Sequence, residues 1–182
     1  AKLAVTSVNN FGYEDYNDGA NGNTKYEKVV DPRQAILSEA HLTYKIADTT
    51  ILAGRSHVNL DDQRFIGTVG WRQMERAYDT VTAINKSIEG LTVLGSYVYG
   101  YQGVNANPTT ETSSALVNAN YKINDMAIVS AFTYLLADIH DTYGLRVTGS
   151  VPVSDIKLNY AASYAQQSKA SIDFRGGNNA DI

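Results

Sequence analysis

The sequence predicts an all-β chain, a transmembrane antiparallel up-and-down β-barrel, and three observations lead to this fold class. Apolar and polar residues alternate along most segments, which is the period of a β-strand. Tight turns alternate with longer polar links, as in a meander of hairpins. Hydrophobic residues make up 43% of the 182 residues and charged residues only 19%, yet no apolar run reaches the roughly 18 residues of a membrane-spanning helix.

About ten strands are predicted, and most reach the roughly 9 to 11 residues that a tilted strand needs to cross a bilayer. They lie at residues 2–9, 34–46, 49–57, 76–84, 91–101, 114–123, 127–137, 142–151, 156–165 and 170–174. Along the second strand, the even positions from Ile36 to Ile46 are mostly apolar and the odd positions mostly polar. Segment 126–137 is apolar on both sides, so a buried helix stays open there as an alternative.

Tyrosine positions separate a membrane barrel from a soluble β-sandwich or a lipocalin-like barrel, which also has one apolar face. On the predicted apolar faces, tyrosines stand near both ends of the strands. Those near the longer links are Tyr99, Tyr101, Tyr134, Tyr143 and Tyr164, and those near the tight turns are Tyr44 and Tyr121. Two aromatic belts of this kind are typical of the two membrane interfaces. We therefore expect the apolar face to meet lipid and the polar face to line a lumen.

We expect residues 1–182 to form one β-barrel domain that is incomplete. The tail from Arg175 to Ile182 has the composition of a loop rather than of a closing strand. An open sheet in hydrocarbon would leave unpaired backbone groups, each at a cost of several kcal/mol. The length therefore indicates about half of a barrel.

The long link at residues 58–75 is predicted to fold into the pore, because arginines and acids are concentrated in and around it. The candidate pore-lining residues of the whole chain are Arg55, Arg64, Arg72, Arg76, Arg146, Asp61, Asp62, Glu75 and Lys122. Fixed guanidinium groups can bind carboxylates or sugar hydroxyls bidentately. The same charges could instead pair among themselves and hold the link to the barrel wall, and both roles stay open.

This part of the chain resembles a known family. The stretch from Gly54-Arg55 through Trp71-Arg72-Gln73, followed by Tyr78-Asp79, is similar to the signature of the alginate-export-like outer-membrane porins of Gram-negative bacteria. The resemblance implies a large monomeric barrel, longer than this chain. It also implies passage of an anionic polysaccharide through an arginine-rich constriction. By position, the corresponding arginines are Arg55, Arg64, Arg72 and Arg76.

Other chemistry is absent from the sequence or weakly indicated. Without cysteine, disulfide scaffolds and thiolate metal sites are excluded, and no phosphate-binding, dinucleotide-binding or zinc-protease motif occurs, so we expect no cofactor. A formal net charge of -4 argues against nucleic acid as a partner. The acidic run at residues 14–18 could bind a divalent cation, but it lacks the EF-hand glycine and glutamate and is expected to be a solvated loop.

We therefore expect an outer-membrane porin of a Gram-negative bacterium that gives passive diffusion to small hydrophilic or anionic solutes, including sugar acids or oligosaccharides. Its surroundings are expected to be outer-membrane lipid and lipopolysaccharide. We do not expect an enzyme, since the best hydrolase-like set is His140-Asp141 beside Ser130 or Ser150. Two alternatives stay open: a scaffold barrel with a plugged lumen and partner-binding loops, and a soluble β-sandwich that binds sugars.

Overall fold

Nine β-strands in one antiparallel sheet make up the fold. The computed structural model describes residues 1–9, 11–12, 15–17, 22–28, 33–105, 108–154 and 156–173. The strands are β1 (Lys2–Val8), β2 (Gln34–Ile46), β3 (Thr49–Ser56), β4 (Ala77–Asn85), β5 (Leu91–Gln102), β6 (Thr110–Asn124), β7 (Ala127–Leu136), β8 (His140–Val153) and β9 (Ile156–Ser168). Each strand pairs with the next along the chain, so the predicted up-and-down order is confirmed. The described residues include no helix long and apolar enough to cross a membrane.

Two of the predicted elements need correction at the C-terminal half. The helix alternative for residues 126–137 is wrong, because Ala127–Leu136 is strand β7. The tenth predicted strand is also wrong for residues 170–173, which fold back instead of continuing the sheet. The Ser171 amide donates to Asp141 Oδ2 at 3.0 Å, and the Asp138 amide donates to the Ile172 carbonyl at 3.1 Å. Phe174 and the tail at residues 175–182 lie outside the described residues.

The chain divides into two compact units. The first comprises Ala1–Leu42, Gly54–Asp79 and Gly100–Glu111. The second comprises Thr43–Ala53, Thr80–Tyr99 and Thr112–Ile182. The long link between β3 and β4 belongs to the first unit, and strands β7, β8 and β9 belong to the second.

In the first unit, a β-bulge in β2 reverses the predicted alternation. Consecutive residues of β1 pair with Glu39 and then with Leu37, so Ser38 is the extra residue. The Ser38 hydroxyl accepts a hydrogen bond from Thr6 at 3.0 Å. Leu37 before the bulge and Leu42 after it are both exposed, although one is odd and the other even. The single alternation predicted over residues 34–46 is therefore wrong on one side of the bulge.

In the second unit, the two faces of β6, β7 and β8 separate as predicted. Ala119 pairs with Ala131 on the exposed apolar face, while Asn118 pairs with Phe132 on the opposite, buried face. Because directly opposed residues of antiparallel strands share a face, this register fixes both surfaces. Polar side chains on the buried face bond to one another, as in the hydrogen bond from Asn120 to Asn118 Oδ1 at 2.5 Å.

The buried face of the second unit also carries an aromatic pair, and this changes one assignment. Tyr134 is only 1% exposed, and its ring stacks on Phe132 with centroids 5.0 Å apart. Its hydroxyl accepts a hydrogen bond from Asn118 at 2.9 Å. Tyr134 was expected on the apolar face, and that expectation is wrong. The aromatic pair explains why this segment is apolar on both sides. The tyrosines that are exposed as predicted are Tyr44, Tyr99, Tyr121, Tyr143 and Tyr164.

Candidate functional site

The link between β3 and β4 is an ordered loop with a small core of its own. Ile66 and Met74 are buried, and the Tyr78 hydroxyl donates to the Gly67 carbonyl at 2.9 Å. The space at Gly67 is needed, because a Cβ there would lie 2.6 Å from the Cβ of Gln63. These apolar and backbone contacts keep the loop against the start of β4.

Hydrogen bonds across the loop hold its charged residues in place. The Leu60 amide donates to the Ile66 carbonyl at 3.1 Å, and the Arg76 amide donates to the Thr68 carbonyl at 2.7 Å. The Thr68 amide in turn donates to Asn59 Oδ1 at 2.9 Å. A loop closed at several points presents side chains in fixed directions, which a selective surface requires.

Arg55 and Asp79 form a bidentate ion pair between β3 and β4. Arg55 Nε donates to Asp79 Oδ1 and Nη2 donates to Oδ2, both at 2.7 Å. Nη2 also donates to the Thr109 hydroxyl at 2.8 Å, and the two charged side chains are 17% and 13% exposed. Gly100 leaves the necessary room, since a Cβ there would lie 3.1 Å from Asp79 Oδ2. The charge of Arg55 is therefore balanced inside the protein.

The loop arginines differ in their surroundings. Arg64 is exposed at the loop surface, where its amide bonds to Asp62 Oδ1 at 3.3 Å. Arg72 is half-buried, next to Trp71, which is 82% exposed. The Arg76 guanidinium lies over the ring of Tyr101, 5.4 Å from its centroid, a cation–π geometry that keeps the full positive charge.

The acids of the loop fall into two groups. Asp61 and Asp62 are exposed at the same turn as Arg64. Glu75 lies at the end of the loop, with Oε2 3.7 Å from Nδ1 of His57 at its beginning. The contact therefore joins the two ends of the loop. In the described part of the chain, His57 Nε2 and Arg76 Nε are buried without a hydrogen-bond partner, the kind of atom that water or a bound oxygen usually satisfies.

Arg146 and Lys122 lie in the second unit, apart in sequence from the loop residues of the first. Arg146 on β8 donates to the Ser163 hydroxyl at 2.8 Å. Lys122 at the end of β6 pairs with Asp125 in the following turn at 2.6 Å. That ammonium lowers the pKa of the exposed Asp125 carboxyl, first through the hydrogen bond and then through its charge. The predicted site residues thus form one loop cluster and two separate positions.

The hydrolase-like set does not assemble. Ser130 pairs across the sheet with Arg146, whereas His140 pairs with Leu136. Six residues along β8 separate these positions, or roughly 20 Å at about 3.3 Å per residue. Ser150, the other candidate, lies ten residues from His140 on the same strand. The Ser130 hydroxyl donates to Asn120 instead.

The described residues contain no group of three or more His, Asp or Glu side chains that could hold a metal ion. In the acidic run, Glu14 and Asp18 lie outside the described residues, and Asn17 bonds to the Tyr26 carbonyl at 3.1 Å.

Two neighbours of the site were not predicted from the sequence. Thr109, one residue before the start of β6, contacts Arg55, and Tyr101, near the end of β5, contacts Arg76. Tyr101 was assigned to the aromatic belt. No spacing signal could have found either contact, because both depend on which strand ends are neighbours.

Comparison with known proteins gives the fold a wider context. No family model and no curated protein matches the chain. Several solved outer-membrane proteins do resemble it. A BenF-like porin from Pseudomonas fluorescens Pf-5 superposes with a TM-score of 0.62 and 16% identity, over 73% of this chain and 37% of that one. Acinetobacter baumannii OccAB4 gives a TM-score of 0.65 and 14% identity over 78% and 37%. Pseudomonas aeruginosa OpdK, solved with vanillate, gives 0.61 and 11% over 71% and 37%.

These likenesses settle the fold class. The chain spans little more than a third of the length of the porins it resembles. The alternative of a soluble β-sandwich is wrong, because the strand arrangement is that of these membrane barrels. The chain therefore has the fold of part of an outer-membrane β-barrel porin.

Proposed function

We propose that this chain is part of an outer-membrane porin that gives passive diffusion to small hydrophilic or anionic solutes. The observation that carries the proposal is the separation of faces in a sheet of porin fold. Exposed apolar side chains such as Leu145 and Tyr164 stand on one face, and bonded polar groups such as Asn118 and Ser130 stand on the other. One face suits lipid and the other suits a wet lumen.

The edges of the sheet support a larger barrel. Strands β1 and β9 stand at the two ends of the strand order. In hydrocarbon, edge groups must be paired, at a cost of several kcal/mol for each group left open. We propose that further strands pair with both edges, that outer-membrane lipid and lipopolysaccharide surround the barrel, and that the protein is not an enzyme.

We assign solute preference to the loop at residues 58–75, folded into the pore. Backbone hydrogen bonds within the loop hold Arg64 and Arg72, and one more bond ties Arg76, the next residue after the loop, to it. Guanidinium groups bind carboxylates in a defined orientation. A fixed positive surface in a narrow passage lowers the barrier for anions. Arg55, Arg146, Lys122, Asp61, Asp62 and Glu75 complete the proposed lining.

The subfamily belongs to the proposal as well. The stretch from Gly54 to Asp79 supports an alginate-export-like porin, whereas one structure that resembles the chain holds vanillate, an aromatic carboxylate. A liposome swelling assay that compares uronic acid oligomers with vanillate separates the two substrate classes. Faster swelling with the oligomers supports the alginate-export-like assignment.

Planar bilayer recordings test the main proposal. The full-length protein is expected to conduct, and replacing Arg64, Arg72 and Arg76 with glutamine is expected to reduce anion preference. Arg146→Gln removes one proposed lining charge outside the loop, and a smaller loss of anion preference in this variant separates the loop from the rest of the lining. Unchanged selectivity in the triple variant would remove the loop from the mechanism.

A second function has one observation in its favour. Leu116, Phe132 and Tyr134 are nearly fully buried on the face that we assign to the lumen. Apolar filling of this kind favours a scaffold barrel with a plugged lumen. A barrel that resists denaturation in detergent and shows no conductance would support that function instead.

A further inference from the structure

A groove of about 410 Å³ lies on the exposed apolar face of the second unit, across strands β6 to β9. One row of cross-strand partners forms its floor. Ala119 pairs with Ala131, Ala131 with Leu145, and Leu145 with Tyr164. Two consecutive alanines leave a depression beside the larger side chains of the row. The groove is thus produced by the order of small and large residues across four strands.

The next row gives the groove a polar rim. Tyr143 pairs with Gln166, and both line the groove together with Tyr164 from the first row. Tyr143 is 45% exposed and Tyr164 is 70% exposed. Thr133, the partner of Tyr143 on β7, also lines the groove. Three hydroxyl groups and one amide therefore stand beside an apolar floor.

The rim lies toward one end of the strands. Tyr143 comes three residues after the start of β8 at His140, and Gln166 comes two residues before the end of β9 at Ser168. In the up-and-down strand order, this is the end at which each odd-numbered strand connects to the next strand, and those connections include the longer links at residues 57–76 and 103–109. In outer-membrane barrels the longer loops are extracellular, so the rim faces the outer leaflet.

We propose that this groove seats one acyl chain of lipid A, the lipid of the outer leaflet, with Tyr143, Tyr164 and Gln166 at its ester and amide linkages. The inference rests on the proposed function, which places this face in the outer membrane. Aromatic and amide groups at the interface can donate to those linkages, while the alanine floor contacts methylene groups.

An acyl chain fits this groove better than water does. A water molecule in a cavity needs two to four polar partners. The rim offers such partners at Thr133, Tyr143 and Gln166, whereas the alanine and leucine floor offers none. An empty depression would lose the dispersion contacts that a flexible chain supplies. A flat wall would hold lipid without preference, whereas a groove with a polar rim holds one chain in one place.

Filling the groove tests the proposal. Ala131→Phe adds a ring to the floor, and Val129→Phe is the matched control, because Val129 stands on the same face of β7 but does not line the groove. The full-length proteins are titrated in detergent with purified lipid A and, separately, with phosphatidylethanolamine. Native mass spectrometry measures bound lipid, and gel filtration measures the oligomeric state.

We expect lipid A to bind Ala131→Phe about tenfold more weakly than the parent, equivalent to about 1.4 kcal/mol, and Val129→Phe like the parent. Equal losses in both variants, or equal binding of phosphatidylethanolamine to the parent, would overturn the proposal. An oligomer that Ala131→Phe dissociates would show the groove to be an interface between copies. Conductance is recorded for the parent and both variants. Absence of a channel would count against the proposed porin function, whereas the lipid-binding measurement tests the groove independently of conductance.

Discussion

The ion pair between Arg55 and Asp79 gives the sharpest test of the loop region. The change is Asp79→Asn, which keeps the shape of the side chain and removes its charge. It also removes one of the two acceptors that hold the guanidinium at 2.7 Å. Arg55 then stays in a largely enclosed position without the charge of Asp79.

The expected cost follows from the burial of the pair. Opposite unit charges 4 Å apart attract by about 4 kcal/mol at an effective dielectric constant of about 20. Breaking a fully buried pair on one side costs about 3–5 kcal/mol. Both side chains keep some exposure, 17% and 13%, and Thr109 still accepts from Arg55. We therefore expect Asp79→Asn to lower the free energy of unfolding by about 2–3 kcal/mol.

Two assays follow this variant. Urea unfolding of the folded protein in liposomes measures stability, and reversal potentials in planar bilayers measure selectivity. The unbalanced Arg55 charge should shift selectivity toward anions if it lies in the passage. The double variant Arg55→Met with Asp79→Leu should recover most of the stability, because replacement of both partners leaves no isolated charge.

An exposed ion pair provides the matched control. Lys122 and Asp125 lie 2.6 Å apart with 54% and 94% of their side chains exposed. Lys122→Gln should leave the unfolding curve unchanged, because exposed pairs contribute little. A loss for Asp79→Asn no larger than for Lys122→Gln would refute the reasoning, as would additive effects in the Arg55 and Asp79 double variant.

Three smaller predictions concern the second unit. Gly144→Val should lower the free energy of unfolding by about 1–3 kcal/mol through overpacking, since a Cβ there would lie 2.6 Å from Phe132 Cε2 and 2.8 Å from the Tyr164 carbonyl oxygen; urea unfolding measures the loss, and an unchanged curve would contradict the overpacking. Tyr134→Phe should lower the free energy of unfolding by about 1–3 kcal/mol, because it removes the hydroxyl that accepts a hydrogen bond from the buried Asn118 amide; an unchanged unfolding curve would contradict this. In an NMR titration, the Asp125 carboxyl should show a pKa below its ordinary value. The stability that it contributes is present above the pKa of the unfolded state and is lost as the pH falls through the pKa of the folded state. Lys122→Gln should raise that midpoint, and a fixed midpoint would contradict the assigned cause.

Sequence periodicity predicted the faces of a strand well where the alternation of apolar and polar residues continued along the whole strand. Along β6, Val117 and Tyr121 are exposed and Leu116 and Asn118 are buried, as alternation requires. The rule failed where a local feature broke the period. The bulge at Ser38 moves the residues that follow it in β2 to the opposite face of the sheet. A bulge alters strand pairing without any distinctive residue composition, so the sequence does not reveal it.

The site was predicted less completely than the fold, for a physical reason. The sequence shows that arginines and acids are concentrated near residues 55–79. Which of them pair depends on distances between strand ends. The pairing of Arg55 with Asp79 and the contact of Arg76 with Tyr101 join residues 24 and 25 positions apart. Tyr134 shows the same limit, because tyrosine suits both a membrane interface and a buried stack.

In the pore that we propose, selectivity has to arise from the position of charges rather than from their sum. Residues 57–76 hold three arginines and three acids, so their formal charges cancel. Of the arginines along the site, Arg55 is neutralised by a bidentate carboxylate. The stacking partner of Arg76 is an uncharged ring, which leaves its charge in force. Because salt largely screens charges more than about 8 Å away, we expect an anion beside Arg76 to meet a positive charge even though the formal charges of residues 57–76 cancel.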